Sequence, residues 1–352
     1  MNNPLLLLET LAQTHTLTLD AYETLIAAQD EALAARAAQL ADAVRREIYG
    51  TAVFIRGLIE VGNVCRNDCL YCGIRRSNST CERYVLTDEQ ILSCCAEGHA
   101  LGFRTFVLQG GEGVFPVDRI CRVVSAIRQE YPDCAITLSL GEYGTGDYQR
   151  MFDAGANRYL LRHETADKSH YERLHPAGMS FDNRMRCLAD LKAIGFQVGC
   201  GFMVGSPFQA TATLAKDLKF IETFQPDMCG IGPFIPQKDT PFHAYPPGTA
   251  AQTIYLLSLI RLIRPDILLP ATTALGTIAP DGREKGILAG ANVVMPNLSP
   301  LNVRAKYALY DNKISTGDES AQSKRGLEKR MAAIGFQIVT ARGDIIRTTP
   351  KS

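Results

Sequence analysis

From Thr51 onward, short apolar and β-branched runs alternate with longer stretches whose apolar residues recur every three or four positions. The short runs at 51–61, 104–109, 135–140, 157–162, 197–204, 228–234, 266–273 and 291–296 read as strands. The longer stretches at 87–102, 117–131, 147–156, 181–195, 212–224 and 250–263 read as amphipathic helices. Alternation of this kind predicts parallel strands joined by crossovers, and eight strands predict closure into a (β/α)8 TIM-type barrel. An open doubly wound sheet has the same local pattern and stands as the alternative.

The flanks read differently. Residues 5–48 show helical spacing throughout, with Asp20 as a candidate cap and Gly50 closing the last helix. We assign 1–50 to a helical layer packed on the barrel, 51–311 to the barrel, and 312–352 to a short C-terminal extension. That extension begins polar, then carries a helix-like stretch at 327–335 and a strand-like one at 336–344.

Charge narrows the function. Lys plus Arg and Asp plus Glu are both 37, so the formal net charge is zero. Nothing in that balance favours nucleic acid or an anionic membrane as partner. The apolar stretch at 4–12 is short, is interrupted by Glu9, and lacks a signal peptide's basic flank. A cytoplasmic location is expected, where eleven cysteines mean thiols or metal ligands more often than disulfides.

Three of those cysteines carry the main chemical signal. Cys65, Cys69 and Cys72 stand in C-x3-C-x2-C spacing directly after the first predicted strand, on the barrel face where chemistry sits. Three thiolates suit a [4Fe–4S] cluster with one iron left open, whereas a closed structural zinc site takes four protein ligands. A zinc knuckle completed from a distance, or three unligated thiols, are the other readings. Tyr71 and Gly73 fit a cluster's need for apolar cover and close backbone. The other eight cysteines have no compact spacing and read as buried small residues.

The run CRNDCLYC at 65–72 looks like the cluster motif of the radical S-adenosylmethionine (SAM) superfamily. GIRRSN (73–78), LQGGE (108–112), TLSLGE (137–142), RYLLRHET (158–165), DNRMRCL (182–188), GIGPFIPQKDTP (230–241), PATTALGT (270–277) and GANVVMPN (290–297) resemble, in order, the [FeFe]-hydrogenase maturase family HydE. The resemblance implies that SAM chelates the open iron. An electron from an external donor then cleaves its sulfonium bond to a 5′-deoxyadenosyl radical. It implies a small iron–carbonyl–cyanide–cysteine substrate, a role in H-cluster maturation, and transient contact with other maturation proteins. Methylornithine synthase and biotin synthase share the barrel and first motif, so a related enzyme on another small substrate is the alternative. A metal-binding scaffold without turnover is a third reading. Many HydE sequences carry a second, C-terminal cluster site; this chain has no cysteine after Cys229, so one cluster is expected.

Further site residues follow from motif and position. Gly110 and Gly111 offer backbone to the methionyl end of SAM or form a plain turn; Gln109 and Glu112 beside them suit its amino group. Period-two alternation puts Leu160, Arg162 and Glu164 on one face. By resemblance Glu164 contacts SAM and Arg162 an anionic substrate group; a rim ion pair is the plain alternative. His163 faces the other way and reads as support. Arg184 is either a fork for the SAM carboxylate or a solvated helix charge. Thr137 and Ser139 share a strand face, for ribose, substrate or barrel backbone. Thr272, Thr273 and Met295 end the last two strands and by resemblance face the substrate cavity, with Tyr307 or Tyr310 nearby.

Overall fold

In the computed structural model, residues 3–314 and 324–347 are described. Three helices open the chain: α1 (Pro4–Thr14), α2 (Leu19–Ala27) and α3 (Glu31–Tyr49). The cap of α2 is Thr18, whose side chain accepts from Ala21 N, not Asp20, which lies in the first turn. Two residues earlier in the chain, Thr18 holds the extended backbone that a cap needs. Gly50 ends α3 as expected.

The strands are β1 (Ala52–Ile55), β2 (Gly57–Gly62), β3 (Thr105–Gly110), β4 (Ala135–Ser139), β5 (Arg158–Leu160), β6 (Gln197–Cys200), β7 (Met203–Val204), β8 (Met228–Cys229), β9 (Gly232–Pro233), β10 (Val293–Val294) and β11 (Gln337–Val339). Between them run α4 (Asp88–Ala100), α5 (Val117–Glu130), α6 (Thr145–Asp153), α7 (Lys168–Leu174), α8 (Phe181–Ile194), α9 (Thr211–Phe224), α10 (Ala250–Ile263), α11 (Thr273–Ile278), α12 (Gly282–Leu288), α13 (Leu301–Arg304) and, in the extension, α14 (Lys324–Ala333).

All pairing among these strands is parallel, in the order β2-β3-β4-β5-β6-β8. Parallel bridges then run from Met228 to Leu268 and from Pro270 to Val293, β10 pairs with β1, and Leu58 on β2 bridges Asn297. The sheet therefore closes on itself, which excludes the open doubly wound alternative. Four predicted strands are divided or loosely paired. The first divides at Arg56 into β1 and β2, the fifth after Cys200 into β6 and β7, and the sixth after Cys229 into β8 and β9. The seventh, at 266–273, pairs only at isolated positions, because Pro270 has no N–H to give a ladder.

Alternation along each strand sets the two faces of the wall. Ile59, Val61, Phe106, Leu108, Ile136 and Leu138 point outward into the helix layer and form the main core. Leu58, Glu60, Val107, Gln109, Thr137 and Ser139 point inward and line a cavity.

The C-terminal extension is part of the barrel's base. β11 pairs in parallel with β1. Just beyond it, Arg342 O accepts from Thr105 Oγ1 at 2.7 Å, and Asp344 meets the fully buried Arg158 at 2.5 Å. At the other end of the chain, Thr16 and Tyr22 each donate to Glu222 on α9 at 2.7 Å, fixing the N-terminal helices to the outer layer. No helix among the described residues is long and apolar enough to cross a membrane.

Candidate active site

The cavity encloses about 360 Å³ at the C-terminal ends of the strands. Most residues singled out from the sequence line it: the three cysteines, Tyr71, Gln109, Gly110, Gly111, Glu112, Thr137, Ser139, Arg162, Glu164, Arg184, Thr272, Thr273, Met295, Tyr307 and Tyr310 do, while Gly73 and His163 do not.

The cysteine loop follows β2 and is held by backbone and one arginine. Arg66 N donates to Glu112 O at 2.8 Å and Leu70 N to Leu174 O at 3.1 Å. Arg83 gathers four carbonyls of the same loop: Asn63 and Ile74 at 2.6 and 2.8 Å, Arg75 and Asn78 at 2.6 and 3.1 Å. A side chain on Gly111 would run into Val64 O and Cys65 Cβ. This glycine therefore admits the cysteine loop, and its bareness is used against protein. The outcome is three half-buried thiols facing one cavity.

Around a single zinc with bonds of ~2.3 Å, sulfurs sit ~3.8 Å apart. Among the described residues, the one His/Cys/Asp/Glu trio whose ligand atoms lie within 4.8 Å of each other is His99, Asp133 and Cys134, elsewhere in the fold. Cys65, Cys69 and Cys72 are not such a trio, so at least one of their sulfur pairs is wider than a single zinc holds. Burial raises the Cys65 and Cys69 thiols and pushes Cys72 up to about 12, with neighbouring negative groups adding to it.

Around the loop, polar groups are paired in ways the sequence did not announce. Tyr71 OH lies 3.1 Å from His175 Nε2, while His175 Nδ1 lies 2.9 Å from Tyr171 O. Nδ1 therefore carries the ring proton, and burial holds the His175 pKa down at about 3. Both Glu112 oxygens are engaged: Oε1 by Arg66 at 2.9 Å and Oε2 by Glu142 N at 3.0 Å. Glu112 thus braces the loop through both oxygens while still lining the cavity. Arg184 is 7% exposed, so the solvated-charge reading falls. Its Nε meets Glu142 at 2.5 Å and its Nη1 donates to Arg162 O at 2.8 Å, leaving Nη2. Arg162 and Glu164 approach to 3.4 Å, but the contact is not aligned as a hydrogen bond, and Arg162 Nε, Arg162 Nη2 and Glu164 Oε2 are all buried without partners. Thr137 Oγ1 is likewise unpartnered. β5 ends at Leu160, so simple alternation does not carry to Glu164; that residue reaches the cavity through a left-handed backbone, φ 64°.

Comparison with known proteins agrees with this geometry. Residues 59–221 match the radical SAM superfamily. Over 277 residues the chain is 45% identical to the [FeFe] hydrogenase maturase subunit HydE of Thermotoga maritima, covering 78% of this chain and 79% of that one. The chain belongs to the HydE family of radical SAM enzymes. The crystal structure of methylornithine synthase superposes with a TM-score of 0.84 at 26% identity, over 95% of this chain and 97% of that one. The maturase HydG shares the fold, with a TM-score of 0.79 at 21% identity over 95% of this chain and 75% of that one.

Within this HydE-family cavity the sequence missed several residues. Arg56 sits at the floor, fully enclosed; its Nη1 approaches Met228 Sδ at 2.8 Å while Nε and Nη2 have no partner. Burial, then the nearby Arg158 charge, lowers its pKa well below the usual guanidinium value. Glu60 pairs with Lys313, and its second oxygen accepts from Asn297 Nδ2 at 3.0 Å. Lys313 also donates to Tyr307 O at 2.9 Å. Tyr307 is buried with its hydroxyl 3.5 Å from Gln109 Nε2, and Tyr310 lines the same space. Thr272 caps α11, and Thr273 Oγ1 lies 3.4 Å from Arg283 Nη2. Of the eight remaining cysteines six are buried; Cys81 and Cys121 are only half-buried, which corrects the uniform reading. Cys81 lies near the cluster loop, 3.5 Å from Asn63 Nδ2. The segment 315–323, in the C-terminal part expected to lack a second cluster, lies outside the described residues.

Proposed function

We propose that Cys65, Cys69 and Cys72 hold one [4Fe–4S] cluster, and that the cavity beside it binds SAM and a small iron–carbonyl–cyanide–cysteine substrate in maturation of the [FeFe]-hydrogenase H-cluster. The observation that carries this is a triad of cysteine thiols lining a cavity whose wall presents buried polar atoms without a hydrogen-bond partner on Arg162, Glu164 and Thr137. Buried polar groups without partners are costly, so such atoms mark where a ligand completes the bonding. When bound, the cluster supplies an electron that splits the SAM sulfonium bond and frees a 5′-deoxyadenosyl radical.

The chain's own residues position and seclude. Arg184 Nη2 offers the SAM carboxylate a charge-assisted bond, with the guanidinium plane fixed by Glu142 and Arg162 O. Glu164 Oε2 accepts from a SAM amino or hydroxyl group. Ser139 and Thr137 serve the ribose or substrate. Arg162 and Arg56 present cationic edges that suit cyanide or carboxylate groups. Met295, Leu160 and Ile231 keep that part of the wall apolar, which protects a radical from water. The HydE family relationship favours this substrate over that of methylornithine synthase. A transient partner hands over substrate, an external donor supplies the electron, and the setting is cytoplasmic.

The test is anaerobic reconstitution with iron and sulfide, followed by SAM and dithionite. Release of 5′-deoxyadenosine is expected, as is loss of hydrogenase maturation when the gene is deleted. A colourless zinc protein that leaves SAM intact supports the scaffold reading instead. Formation of methylornithine, with hydrogenase activity intact in the deletion strain, supports the related-enzyme reading.

A further inference from the structure

Glu164 has a left-handed backbone, φ 64°, a conformation disfavoured for any residue with a Cβ. Its surroundings must therefore hold it. On one side its own N–H donates to Gly201 O at 2.9 Å. The other restraint comes from outside the barrel wall. Asp217, on α9, is fully buried, and its Oδ1 lies 3.2 Å from His163 Nε2 and 2.5 Å from Ala166 N. His163 Nδ1 accepts from Gly201 N at 3.3 Å. Nε2 therefore carries the ring proton and donates to Asp217. Phe220 and Phe202 pack the imidazole, with ring centroids 4.7 and 5.8 Å away. The residues flanking Glu164 thus converge on one carboxylate oxygen, and neither Asp217 nor His163 lines the cavity.

We propose that Asp217 is a positioning residue for SAM: by anchoring His163 and Ala166 it sets the 163–166 turn so that the Glu164 carboxylate projects into the cavity. The inference rests on the reading of Glu164 as a SAM contact. Asp217 Oδ2 has no partner. Burial also pushes this carboxyl's pKa up, against the opposing pull of His163. The anchor therefore works by accepting two N–H bonds at Oδ1, and charge is not what it needs. An asparagine carbonyl can accept the same two bonds; alanine can accept neither.

Reconstituted holoenzyme of the wild type, Asp217→Ala, Asp217→Asn and Glu164→Gln is titrated with SAM while cluster absorbance is followed. Asp217→Ala is expected to keep the cluster and raise the Kd for SAM by about ten- to a hundredfold, the range seen when a partner that orients a ligand is removed. Asp217→Asn should stay close to wild type. If the alanine variant does not fold, Asp217→Glu, which shifts the oxygen by one methylene, replaces it with the same expectation. Unchanged SAM affinity without the acceptor, or equal damage from Asn and Ala, overturns the proposal. Glu164→Gln separates the two claims. If it leaves SAM affinity intact, the reading of Glu164 falls and the proposal with it. If it weakens SAM binding while Asp217→Ala does not, only the positioning role falls.

Discussion

Glu142 holds the arginine proposed to meet SAM without itself lining the cavity. Its Oε1 fixes Arg184 and its Oε2 takes Asn183 Nδ2 at 2.5 Å. Glu142→Gln keeps the shape but removes the charge opposite a guanidinium that is 7% exposed. The expected result is SAM binding weakened by about tenfold, ~1.4 kcal/mol, with cluster absorbance unchanged, read by SAM titration. Cys69→Ala is expected to abolish both the visible absorbance and SAM cleavage, because two thiolates do not retain a cubane. At this scale the sequence was readable where ligands are contiguous: the cysteine run stood out unaided. Arg56, Glu142 and Lys313 did not, because Met228, Arg184 and Glu60 lie tens to hundreds of positions from them; Arg83 did not, because its partners are backbone carbonyls, which no residue type announces.

Among the elements, the strap at 305–314 is the one whose contribution is most easily measured. Leu309 O accepts from Gly73 N at 2.9 Å, beside Cys72, and Asp311 N donates to Pro236 O at 3.2 Å. Lys313 then reaches down to Glu60, a pair with side-chain exposures of 8% and 0%. Removing one partner of a buried pair leaves an uncompensated charge and costs about 3–5 kcal/mol, whereas replacing both is much milder. Lys313→Met is therefore expected to speed hydrogen exchange in 305–314, while Glu60→Gln with Lys313→Met restores much of the protection. Exchange mass spectrometry on holoenzyme checks both. A second element-scale case is α4, where Thr87 and Gln90 form a capping box. Thr87→Ala should cost about 1 kcal/mol, seen as a lower apparent Tm. Most helices and strands were legible from periodicity. The short α7, α11 and α12 were not, because one or two turns give too few periods, and Pro270 disguised how little ladder the seventh strand has.

The whole molecule is a barrel with its chemistry at one end and its own tail fastened under the other. The closed (β/α)8 architecture followed from counting alternations. The tail's place did not, since nothing local in 336–344 says that β11 joins β1 or that Asp344 seeks Arg158. Burial alone would raise the Asp344 carboxyl, but Arg158, Arg342 and Gln197 outweigh it and hold the pKa down at about 2. A folded-state value below the unfolded ~3.9 means that the contribution is full above that value and fades as pH falls toward about 2. The apparent Tm difference between wild type and Asp344→Asn should be constant above about pH 5 and shrink in acid; a constant gap down to pH ~2.5 counts against the pairing.

The proposed activity depends on three thiols placed to hold a cluster that SAM can complete. Mössbauer spectroscopy on anaerobically reconstituted, iron-57-labelled protein, recorded with and without SAM, tests this most directly. The account predicts one cubane whose single unique iron changes its signal when SAM is added. A protein that assembles no cubane, or one whose four irons are indifferent to SAM, contradicts it.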